Sequence, residues 1–167
     1  KVVNACKLLF PVVSSSAFRS MMKDLAPLLR PYHMLIHATK GFDLSGILES
    51  EIEDNGVGRS NVNTISEVIR QESLCVRIGC LSGPNLAKEI LEGQPTATLI
   101  ASKFNEVIHA GKAVLSSPVF HVFGSHDLLG AELAGALKNT MALGSGILKG
   151  YGLGKNIQAM LLTRGLM

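Results

Sequence analysis

The sequence holds no tryptophan, two tyrosines and six phenylalanines. Its net charge is only +3, and its lysines and arginines are scattered rather than gathered into a stripe. A nucleic-acid binder needs a basic face with stacking platforms, so that class is set aside. Cysteine is scarce: Cys6, Cys75 and Cys80 are the three present. Cys75 and Cys80 stand five apart, which is not the C-x-x-C spacing of zinc or redox sites. They read as reduced thiols in a cytoplasmic compartment. No uninterrupted apolar run reaches the roughly 18 residues that a membrane span requires. A G-x-S-x-G nucleophile elbow is missing. The five histidines form no metal site: His33 and His37 are four apart in a stretch that reads as strand, and His121 and His126 flank a junction. Structural or surface roles suit them better.

What is present is a globular composition. Of 167 residues, 47% are hydrophobic and 17% charged, enough for one domain with a real core. "KLLFPVV" (7–13) reads as a buried strand, and the residues before it also read as strand. "SSS" (14–16) offers a helix N-cap, followed by helical periodicity over 17–29. "HMLIHAT" (33–39) is a second strand. A polar stretch over 43–60 carries a "DNGVG" turn at 54–58, and 61–73 look helical. "LCVRIGCLSGP" (74–84) is a third strand running into Pro84, which suits the first turn of a helix ending at Gly93. Strand 95–102, helix 104–115 and strand 119–125 complete the alternation. Strand–helix alternation at this spacing gives an α/β fold with a mostly parallel, doubly wound sheet. From Asp127 onward only helical patterns occur, broken by "KGYGLG" (149–154), so the domain boundary falls near residue 125. Both ends read as cut, as in a fragment.

Three short stretches carry possible chemistry. Lys40 closes a strand in "ATKG", where ligands of open α/β sheets bind; a phosphate-facing lysine and a plain surface lysine are both open. "SGPNLAKE" (82–89) joins a strand to a helix; it suits either an anion at a helix start or an ordinary turn. In "GALKN" (135–139) Lys138 lies among small and apolar residues, with Asn139 beside it. A lysine buried there would lose solvation and trade protons near neutral pH, whereas one at the helix edge would snorkel. The dinucleotide fingerprint G-x-G-x-x-G is absent; "GSGILKG" (144–150) has the wrong spacing and setting.

In order and spacing, "ATKG", "SGPNLAKEILEGQPTATLIAS" and the block from "SSPVFHVFGSHD" through "GAELAGALKNTMALGSGILKGYGLGKN" to "LLTRGL" resemble NAD(P)-dependent glycerol-3-phosphate dehydrogenase. The resemblance runs from about residue 35 to the end of the chain. It implies the second part of a Rossmann-like domain over 1–125 and the first helices of a helical substrate domain over 126–167. It implies hydride transfer between glycerol 3-phosphate and dihydroxyacetone phosphate, with NAD or NADP as cofactor. Lys138 matches the catalytic acid/base. Lys40 matches a residue binding substrate near the cofactor. Gly83 and Asn85 match substrate-site positions, with Asn85 where bacterial-type enzymes often carry serine. Asn139 is a further substrate contact, and Ala87 a cofactor contact. No metal is implied, and the whole protein is expected to be a homodimer. The family's glycine-rich loop and its "S/T-R-N" segment do not occur here; Thr163-Arg164 is followed by Gly165. The 167 residues alone are therefore expected to be inactive. Two alternatives remain: a degenerate homologue without activity, and a β-hydroxyacid dehydrogenase of the 6-phosphogluconate or 3-hydroxyisobutyrate type.

Overall fold

The computed structural model describes residues 2–44, 58 and 61–165. Its elements are α1 (Val2–Ala5), β1 (Leu8–Leu9), α2 (Ser15–Leu25, continued by a 3-10 turn Ala26–Leu28) and β2 (Met34–His37). There follow α3 (Ile65–Glu72), β3 (Arg77–Ser82), α4 (Ala87–Leu91), β4 (Thr96–Ser102), α5 (Asn105–Leu115) and β5 (Phe120–Ser125). Two helices close the chain, α6 (Leu128–Gly150) and α7 (Lys155–Gly165). The turn expected at 54–58 lies outside the described residues, save Gly58.

Successive strand residues point to opposite faces, and in β2 both faces are apolar. Leu35 packs with Phe18 and Met22 of α2 and with Val68 and Ile69 of α3. Ile36 packs the other way, against Ile100 of β4 and Val107 and Ile108 of α5. Helices on both faces of one sheet make the doubly wound α/β layering. The strands lie in the order β1-β2-β3-β4-β5. Three pairings are parallel. The β3–β4 pairing is antiparallel, with Gly79 opposite Ser102 and Ser82 opposite Leu99. This reversal brings the start of β4 beside the end of β3. It also sends β5 back down the sheet, so that α6 begins at the far end and climbs across one face. On that face Leu128 and Ala131 pack on Cys80 and Ala101.

Local signals explain most boundaries. Thr64 caps α3 reciprocally: Glu67 N–H donates to Thr64 Oγ1, and Thr64 N–H donates to Glu67 Oε2. Ser14 sits at the N-cap of α2, but its hydroxyl pairs with the Ser16 hydroxyl rather than with a backbone N–H of the helix. Several expected elements are corrected. Residues 2–5 form a helical turn instead of strand. The strand expected over 7–13 pairs only at Leu8 and Leu9; Pro11 has no N–H, so the ladder cannot continue through it. Pro84 does not open a helix. Residues 83–86 form a turn, with Asn85 N–H donating to Gly83 O, and α4 starts only at Ala87.

Candidate active site

At one end of the sheet, three segments converge. Lys40 follows β2 by three residues. Ser82 ends β3, and Gly83 turns away over β4. A Cβ at Gly83 would stand 2.9 Å from Thr98 Oγ1, 3.0 Å from Thr98 Cα and 3.2 Å from Ala97 O. The backbones are too close there for any side chain, so glycine is required. Above them runs α6. Gly135 is buried, and a Cβ on it would come 3.5 Å from Ser82 Oγ and 3.8 Å from Lys40 Cγ. One turn on, Lys138 reaches over the same space. The result is an open groove of about 320 Å³ lined by Lys40, by Ser82, Gly83 and Pro84, and by Ala134, Gly135 and Lys138 of the helix.

The Lys40 ammonium donates to Gly83 O at 3.4 Å, a long bond that leaves its remaining donors free. Although the residue as a whole is exposed, desolvation of its amine pulls Lys40 below the ordinary lysine range, and the nearby charge of Lys138 adds to this. Of the two settings left open for Lys138, buried or at the helix edge, the second is found: Lys138 is exposed, as are its neighbours Leu137 and Asn139. Of the other residues singled out, Asn85 lies beside the groove and its amide donates to Thr98 Oγ1 at 3.1 Å. Its carbonyl Oδ1 is buried without a hydrogen-bond partner. Ala87 is exposed at the start of α4, and Asn139 is exposed on α6; neither lines the groove.

Sequence reading passed over a second cluster just beneath. Glu132 of α6 is buried, as is His37 of β2. Ser66 N–H donates to Glu132 Oε1 at 2.7 Å, and Ser66 Oγ–H donates to Oε2 at 2.7 Å. His37 Nε2 stands 3.1 Å from Oε1, an ion-pair distance but off the line of a full hydrogen bond. Burial pushes the Glu132 carboxyl up; His37 and the two Ser66 donors outweigh it and hold the group below its ordinary value. The available signal was an acidic residue at "GAELAGALKN", six places before the lysine in an apolar helix. Cys80, between the two clusters, is pushed up to about 12 by burial first and by Glu132 second, so it stays a thiol. Among the described residues no group of three or more His, Cys, Asp or Glu is placed to hold a metal ion. Among them, too, no helix is long and apolar enough to cross a membrane.

A family model for the NAD-dependent glycerol-3-phosphate dehydrogenase N-terminus matches residues 1–108, and one for the C-terminus of the same enzyme matches 127–167. A glycerol-3-phosphate dehydrogenase (NAD(P)+) of Saccharophagus degradans is 40% identical over 154 residues, covering 92% of this chain and 39% of its own length. The crystal structure of glycerol-3-phosphate dehydrogenase from Coxiella burnetii aligns with TM-score 0.79 at 29% identity, over 98% of this chain and 46% of that one. The yeast enzyme from Saccharomyces cerevisiae aligns with TM-score 0.82 at 26% identity, over 98% and 45%. The chain thus spans about two-fifths of the length of the first of these relatives. With both halves matched in order, the chain belongs to the NAD-dependent glycerol-3-phosphate dehydrogenase family.

Proposed function

We propose that the protein of which these residues are part interconverts glycerol 3-phosphate and dihydroxyacetone phosphate by hydride transfer with NAD or NADP. The observation that carries this reading is the meeting of Lys40 and Lys138, from different elements, in one groove at the end of the sheet. Two ammonium groups suit a phosphate-bearing substrate with a carbonyl or hydroxyl to polarise. The residues present fit the reactive end of such a cofactor: Gly83 and Gly135 leave the groove clear of side chains, and the unpartnered Asn85 Oδ1 can accept from a ligand N–H or O–H. NAD(P), when bound, supplies or accepts the hydride. Lys40 and Ala87 are assigned to its neighbourhood.

Lys138 acts as acid/base. In reduction its ammonium gives a proton to the carbonyl oxygen of dihydroxyacetone phosphate; in oxidation the amine takes the proton of the C2 hydroxyl. Lys40 and Gly83 hold the substrate, with Asn85 and Asn139 as further polar contacts. The lowered pKa of Lys40 favours a second assignment in which the two lysines exchange roles. We place the nucleotide domain at 1–125 and the start of the helical domain at 126–167. Leu143, Ile147 and Met160 are exposed along α6 and α7, apolar surface that further helices or a second copy in a homodimer would cover. The free thiols of Cys6, Cys75 and Cys80 suit a reducing cytoplasm.

The test is oxidation of NADH and NADPH by dihydroxyacetone phosphate, followed in the whole protein beside Lys138→Ala and Lys40→Ala. Loss of about a hundredfold or more in kcat is expected for Lys138→Ala. A larger kcat loss in Lys40→Ala exchanges the roles. A folded wild type that is inert with both cofactors overturns the reading in favour of a degenerate homologue.

A further inference from the structure

Glu132 does not line the groove, yet its setting is the most elaborate polar arrangement in α6. A carboxylate is rarely buried unless donors surround it. Here they come from two other elements. Ser66 offers both its backbone N–H and its hydroxyl, each at 2.7 Å. Its N–H belongs to the first turn of α3, where no intrahelical acceptor is available. His37 stands 3.1 Å away on β2, with its ring set edge-to-face against Phe18, centroids 6.1 Å apart. The His37 ring faces the carboxylate through Nε2 at ion-pair distance without completing a hydrogen bond.

We infer that Glu132, gripped by Ser66 and His37, is a positioning residue that seats α6 so that Lys138 stands over Lys40. The inference rests on the reading of the groove as the reaction site. Its basis is where the grip lies along each chain segment. His37 is three residues before Lys40, and Glu132 is six before Lys138. The contact therefore ties together the two segments that carry the lysines. Glu132, Gly135 and Lys138 follow one another at three-residue steps, one row along the helix, and Lys138 lies roughly 9 Å along the axis from Glu132. A helix released at Glu132 can pivot about its packed start at Leu128 and Ala131, and Lys138, further along it, would be displaced. Something must resist that pivot, because the two ammonium groups repel each other across the groove. Leu128 and Ala131 pack on the sheet but lie before Glu132 in the helix, and beyond it Gly135 brings no side chain. Among the described residues, Glu132 is thus the last polar tether before the lysine.

Two measurements on the whole protein test this, using Glu132→Gln, Lys138→Ala and the double variant. In the dihydroxyacetone phosphate assay, Glu132→Gln is expected to lose about a hundredfold in kcat/KM, the scale of an ångström-sized misplacement. In the Lys138→Ala background the same change is expected to lose about threefold or less, because there is no longer a lysine to misplace. A purely structural defect would lower activity equally in both. Independently of activity, Lys40 can be titrated by NMR of isotopically methylated lysines. The titratable groups acting on it are Lys138 and Cys80. Its midpoint is expected to rise in Glu132→Gln, as Lys138 swings away. An equal kinetic loss in both backgrounds, or an unmoved Lys40 midpoint, overturns the inference. If the wild type is inert, the functional reading fails, and the Lys40 titration still decides the positioning role. If Glu132→Gln does not fold, Ser66→Ala removes one donor and is read in the same way.

Discussion

Replacing Gly135 by alanine should strengthen the protein and weaken its groove in one step. Gly135 lies inside α6, where glycine is about 0.5–1 kcal/mol less favourable than alanine. The added methyl meets Ser82 Oγ at 3.5 Å and Lys40 Cγ at 3.8 Å, ordinary contact distances that demand no backbone shift. The helix gain is therefore retained, and Tm should rise by about 1–4 °C for a domain of this size. The same methyl fills the gap between α6 and the Lys40 stem. A substrate lying in the groove against that methyl must move by an amount on the order of 1 Å, which can cost about a hundredfold in turnover. Calorimetry and steady-state kinetics on the whole protein read the two effects separately. A lower Tm would refute the contact geometry. Unchanged kinetics would refute the placement of the substrate against this part of α6.

Alanine at Gly83 should do the opposite to stability. Its methyl would press on Thr98 Cα at 3.0 Å and Ala97 O at 3.2 Å, both backbone atoms. Overpacking of this kind costs about 1–3 kcal/mol, and an unshifted thermal midpoint would sink the prediction. Acid should find out Glu132. Its folded pKa lies below its ordinary value of 4.5, so its stabilisation is complete above that value and fades as pH falls through the lower, folded one. Denaturant unfolding of wild type and Glu132→Gln should therefore converge in stability as pH drops below about 4.5. A gap that stays constant down to the acid limit would contradict it.

Layering was legible from the chain because periodicity reports it directly. Phe18 and Met22 lie four apart and both face the sheet, as helical spacing demands. Lengths were less legible. The apolar run 7–13 says that the segment is buried, but only the partner strand and Pro11 decide where pairing stops. Pro84 favours a helix start locally, yet the tie from Asn85 to Thr98 on β4 holds the turn out of the helix. At the site, Lys40, Gly83 and Lys138 could be picked out one by one from their surroundings in sequence. Which amine is desolvated could not, because it depends on packing between β2, β3 and α6. For the Glu132 grip the one local signal was an acidic residue in an apolar helix. Its partners on α3 and β2 could not be read, because they meet α6 only through packing.

The strand order has a bearing on how the molecule is made. Every strand in the described sheet pairs with the strand next in sequence. Pairing with the next strand keeps the loops as short as the chain allows, the longest joining Met34 to Arg77 on β2 and β3, and the strands can zip together as the chain lengthens. The seating of α6 is built otherwise: Lys40 and Gly83 come together with the β2–β3 pairing, but Ser66 and Glu132 are 66 residues apart. The scaffold can form while the site is still open, and the docking of α6 is left to the end. A ligand bridging the two lysines then acts on the last step. It slows the departure of α6 rather than hastening the birth of the sheet, and so lengthens the lifetime of the folded state more than it speeds its formation.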